Sequence, residues 1–271
     1  METIFISATF LVAVLFFLSQ SLSKGVGTVG GALKQVGLFI LRKNPPGLVD
    51  IFDDRDGSGS RTWMNFGMLW LVLATLLGFL MGWHTYDPTA LDSLASVGWS
   101  YDDGSSLADA TLNFLTIALL YGLIGSGMVA TARNGSGRLA SEANASMVAV
   151  LLSAVLVATY ILPFIFGFLD IDTDEGGVAI LLYSLETLAV GMLLIPVFIN
   201  LLITAADRGE QALQTSVWFL LMGVAAYILS MLYMFFGELI GATQTVWLAE
   251  RVAHGWVCLL YTSDAADELR S

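Results

Sequence analysis

The sequence predicts an all-α fold, a polytopic bundle of transmembrane helices with six complete helices and the start of a seventh. Three observations carry that expectation. Charged residues make up only 13% of the chain, about half the ~25% usual in soluble domains. The apolar residues, 56% of the total, gather in blocks close to the ~20 residues that cross a bilayer core. Among the connections between the six complete blocks, Lys and Arg occur only in alternate ones, the asymmetry expected of a chain threaded repeatedly through a membrane.

The first apolar block covers residues 4–22. It does not read as a cleaved signal peptide, because Met1-Glu2-Thr3 carries no positive charge and Lys24 comes after the apolar run. Residues 29–43 mix Val, Leu, Phe and Ile with Lys and Arg, a composition suited to the membrane surface. Pro45-Pro46 ends that segment. The run from Asp53 to Ser60 reads as a solvated linker, and it lacks the spacing and the bidentate Glu of a calcium loop. Further spans are expected at 63–83, 110–131, 147–169, 178–204 and 216–236, with a seventh beginning near Thr245.

Orientation follows from the basic residues. The loop 23–62 holds Lys24, Lys34, Arg42, Lys43, Arg55 and Arg61; the loop 132–146 holds Arg133 and Arg138; the loop 205–215 holds Arg208. The intervening loops 84–109 and 170–177 contain no Lys or Arg, and carry nine acids, among them Asp87, Asp103 and Asp174. The basic loops are therefore expected in the cytoplasm and the N-terminus outside, in a cell (plasma) membrane. The net charge of −12 comes with no basic stripe, so a nucleic-acid partner is not expected.

The segment 258–271, opening at Cys258, resembles the in-frame translation of a sequencing adapter. It is expected to be a non-native tail on a membrane domain of residues 1–257. Cys258 is the one cysteine, so disulfides do not enter.

Polar groups inside apolar blocks are the candidates for chemistry, since placing them in hydrocarbon is costly. Glu186 lies about a third of the way along the fifth span, and reads either as a proton relay or cofactor contact or as a helix–helix hydrogen bond. Pro163 and Pro196 sit inside the fourth and fifth spans and free backbone carbonyls there. Gly122, Gly125 and Gly127 form a small-residue face suited to close helix packing. His84 follows Trp83 at the outer end of the second span, an interfacial place. His254 stands early in the seventh, with Glu250 one turn before it on the same face, an arrangement suited to a metal ligand with a carboxylate behind it. There is no phosphate-binding glycine loop, no His-Glu-x-x-His and no cysteine cluster.

The stretch Arg251-Val-Ala-His254-Gly-Trp256-Val257 resembles subunit I of the heme-copper oxidase superfamily, nearest to nitric oxide reductases and C-type oxidases. In that superfamily the sixth core helix starts outside and carries a His that binds the active-site copper, or iron in the reductases. A Trp-Val pair follows that His in the reductases. Counting back, the span 63–83 becomes core helix one and 4–22 an extra helix before it. The resemblance implies heme and copper, or non-heme iron, as cofactors, His254 as a metal ligand, and the other subunits of a respiratory complex as partners alongside the lipid bilayer. Asn113 stands where the family's low-spin heme His is expected. Two other classes stay open: a transporter or channel with a pathway through Glu186 and the two prolines, and a non-catalytic membrane partner of a redox complex.

Overall fold

The computed structural model describes residues 28–43, 47–92, 104–168, 178–207 and 213–239. Among these residues every regular element is helical. In chain order they are α1 (Thr28–Lys43), a short 3-10 turn (Val49–Ile51), α2 (Ser58–Tyr86), α3 (Gly104–Asn134), α4 (Glu142–Phe168), α5 (Val178–Ala206) and α6 (Thr215–Leu239). All but α1 and the short turn are long and apolar enough to cross a membrane. The fold is that of a multi-pass helical membrane protein. The expected span 4–22, the seventh from Thr245, the tail and His254 fall outside the described residues.

A backbone in hydrocarbon must satisfy its amides and carbonyls within the segment, which is why each apolar block becomes one helix. The helices then pack in a ladder: α3 on α2, α2 on α4, α4 on α5 and α5 on α6, with α3 also reaching α5 and α6. In α4, 61% of the most apolar stretch is buried within the bundle, against 22% in α2. So α4 is the central helix, while α2 turns Met68, Val72, Leu76 and Phe79 outward.

The closest seam is α2 against α3. A methyl group added at Gly67 would lie 3.1 Å from the Gly122 backbone nitrogen, and one at Gly125 would lie 3.0–3.2 Å from Met64 and Trp63. Trp63 and Tyr121 stack across this seam with ring centroids 4.7 Å apart. The small-residue face of α3 is not a single surface, however. Gly127 meets Leu220 of α6, so its glycines serve two neighbours. Both proline-bearing helices run on through Pro163 and Pro196.

At the end where Lys and Arg gather, the segment 29–43 is a helix that packs one side on α5, with Leu41 fully buried and Gly37 close to Ile199 and Ile203. One expectation changes there: the supposed solvated linker is not solvated throughout. Ser58, Gly59 and Ser60 are the first turn of α2, and Gly59 and Ser60 are buried. The reason lies across the bundle, in a carboxylate that takes up their backbone polarity.

Candidate functional site

A helix begins with four amides that have no partner inside the helix. At the start of α4 the first three are each satisfied by a side chain. The Glu142 and Ala143 amides donate to Asp54 Oδ1 at 3.0 and 3.2 Å, and the Asn144 amide donates to Ser141 Oγ at 3.2 Å. The Ser141 cap is local, of the usual kind for its residue type. The Asp54 cap is supplied in trans, from a turn 88 residues earlier in sequence. A carboxylate there is further favoured by the positive end of the helix dipole.

Glu142 carries the arrangement back to α2. Its side chain is almost fully buried. Oε2 accepts the Gly59 amide at 2.9 Å and Oε1 accepts the Leu139 amide at 3.1 Å. One carboxylate thus closes the first turn of α2 and the loop that leads into α4. Nearby, Trp63 Nε1 donates to the Ala145 carbonyl at 2.9 Å.

Arg138 and α5 complete the junction. Arg138 Nη2 donates to Asp54 Oδ2 at 3.1 Å and to the Asp54 carbonyl at 3.2 Å, and Nη1 lies 3.6 Å from Asp56. Asn200 grips Ser141 on both sides, its Oδ1 accepting the Ser141 amide at 3.3 Å and its Nδ2 donating to the Ser141 carbonyl at 2.7 Å. Thr204 Oγ1 accepts the Ala140 amide at 3.0 Å. Lys34 of α1 pairs with Asp207 just beyond α5. Asn144 is fully buried as well, and neither atom of its amide bonds to another protein group.

A pocket of about 860 Å³ opens beside this junction. Its charged lining residues are Lys34, Arg42, Arg138, Asp50, Asp54 and Asp207. It brings together α1, the 3-10 turn, the α3–α4 connection and the end of α5.

The sequence-derived candidates are placed elsewhere. Glu186 is half-buried on α5, and its carboxyl group meets the Thr159 hydroxyl of α4. It lies 14 residues before Asn200, about 21 Å along the helix axis, so it does not share the polar junction. A second buried network sits between α2, α3 and α4. Trp70 Nε1 donates to Ser153 Oγ at 3.2 Å, and the Tyr121 hydroxyl contacts Ser153 Oγ at 2.7 Å and donates to the Ala149 carbonyl at 2.9 Å. At the acidic end, His84 stands in the last turn of α2. Just beyond it Asp87 accepts the Thr89 hydroxyl and amide, which hold its carboxyl below the usual carboxylate range. Asn113 is exposed on α3.

Among the described residues no group of three His, Cys, Asp or Glu is placed to hold a metal ion. The junction's residues escape a reading of the sequence because Asp54, Arg138 and Glu142 all lie in polar loop stretches. The one local signal was Ser141, a capping residue set just before an apolar run. No family model matches the chain, and no curated protein or solved structure is similar to it.

Proposed function

We propose that this chain belongs to a membrane subunit of a respiratory heme-copper oxidase or nitric oxide reductase-like complex, acting in reduction of a terminal electron acceptor. The observation that carries the reading is the stretch Arg251-Val-Ala-His254-Gly-Trp256-Val257 and its place in the helix count. With α2 as core helix one, α3 to α6 count as core helices two to five, and the span expected from Thr245 counts as the sixth. That is the helix in which the family's metal-binding His stands. Parity also agrees: with the basic loops in the cytoplasm, a helix that follows α6 starts outside.

In this reading His254 is one ligand of the active-site metal. Imidazole suits copper and iron alike, so the residue does not choose between them. A single imidazole does not close a site, and the remaining ligands come from other residues of the complete subunit. Glu186 is the residue assigned in this reading to take up and pass on a proton inside the bundle, a role supported by its half-buried position facing Thr159.

The test uses the full-length gene expressed with its partner subunits. His254→Ala should abolish oxygen or nitric oxide reduction and lower the non-heme metal content measured by elemental analysis. Full turnover with unchanged metal content would remove the redox reading. A multi-pass transporter, or a non-catalytic partner of a redox complex, would then be the better account.

A further inference from the structure

We propose that the pocket at the basic end binds the phosphodiester headgroup of a membrane lipid. The inference is independent of His254 and of any redox role. The pocket's volume of about 860 Å³ falls within the ~300–1,000 Å³ of sites that enclose small ligands.

Its charges are not equally committed. Asp54 is consumed by two α4 amides and Arg138, and Arg138 in turn is held by Asp54 and Asp56. Lys34 and Asp207 form a pair whose side chains are both about two-fifths exposed, and such pairs contribute little and re-form easily. Arg42 is exposed, and among the described residues no carboxylate pairs with it. The groups free to take a ligand are therefore Arg42 and Lys34, in a wall that also holds Asp50. Arginine's planar fork matches phosphate oxygens in pairs. Asp50 and Asp207 limit the positive potential, which favours a singly charged phosphodiester over a doubly charged free phosphate or monoester.

The position selects a lipid as the source. The pocket's walls lie at the ends of membrane-crossing helices: the connection from α3 into the start of α4 and the residue just beyond α5. Next to it α1 exposes Val36 and Phe39, and the following turn exposes Ile51, each more than half accessible. Apolar side chains turned outward beside a pocket that presents an uncommitted arginine match the boundary where acyl chains meet headgroups.

The experiment measures lipid retention by native mass spectrometry of the purified protein in detergent. The probes are phosphatidylglycerol, phosphatidylcholine and digalactosyldiacylglycerol, which has no phosphate, with inorganic phosphate at millimolar concentration as competitor. The wild type should retain both phospholipids over the galactolipid by about tenfold or more, and inorganic phosphate should not displace them. Arg42→Gln, an exposed change, should lose that preference while its melting curve stays unchanged. Equal retention of the galactolipid by the wild type would overturn the proposal without reference to any variant. Displacement by inorganic phosphate, or an unaltered preference in a folded Arg42→Gln protein, would overturn it too.

Discussion

Glu142 shows how much one side chain can hold when it is buried against backbone amides. Removing it strands the Gly59 and Leu139 amides in a water-poor place, and each stranded donor costs about 1–3 kcal/mol. Glu142→Ala should therefore destabilise the fold by about 2–4 kcal/mol, read as a lower melting temperature in detergent. Glu142→Gln keeps an accepting oxygen and should lose roughly half as much. An alanine variant that melts with the wild type would mean the amides find other partners. Glu186 is the contrasting case, because the Thr159 hydroxyl it meets already donates to the Val155 carbonyl at 2.9 Å. Glu186→Gln should thus assemble normally and stay within about 1 kcal/mol of the wild type, whereas Glu186→Leu should impair assembly more. If Glu186 relays protons, both variants should lose turnover by about 100-fold or more in the complete enzyme. Full turnover in the glutamine variant would leave Glu186 a packing residue.

At the scale of helices, the α2–α4 contact depends on having no side chain at Gly59. A methyl group there would lie 2.7 Å from Ala145 Cβ and 2.9 Å from Glu142 Oε2. Gly59→Ala should push the first turn of α2 off α4 and cost about 1–3 kcal/mol, the usual penalty for overpacking. Thermal unfolding beside a Gly82→Ala control checks this, since a methyl at Gly82 meets nothing within 4 Å. Equal melting of the two variants would show that α2 shifts freely against α4. Some helices also begin before the apolar blocks. α2 starts at Ser58 and α4 at Glu142, five residues before each expected start. Polar first turns are tolerated there because Glu142 and Asp54 supply acceptors from another part of the chain.

For the molecule as a whole, the basic connections converge. Lys34 and Arg42, both on α1, and Arg138 of the α3–α4 connection line one pocket although they come from two separate connections. The expected topology is tested by cysteine labelling in a Cys258→Ser background. A membrane-impermeant maleimide added to intact cells should modify Asp103→Cys and Asp174→Cys and spare Ser136→Cys. Labelling at Ser136 from outside would reverse the assigned orientation.

The sequence by itself determined that the chain is a bundle of membrane-crossing helices, and where the five described spans lie to within six residues at each end. It could do so because hydrocarbon forces each backbone segment to satisfy itself locally, so composition along the chain reports directly on helices. Tertiary structure alone decided which polar residues matter at the basic end. Asp54 meets the start of α4 and Glu142 meets Gly59 across 88 and 83 positions, and nothing in their local spacing marks them apart from solvated loop residues. Only when α2, α4 and α5 are brought side by side do unpaired helix-end amides face those carboxylates. The cost of leaving such amides buried and unpaired then fixes the contact.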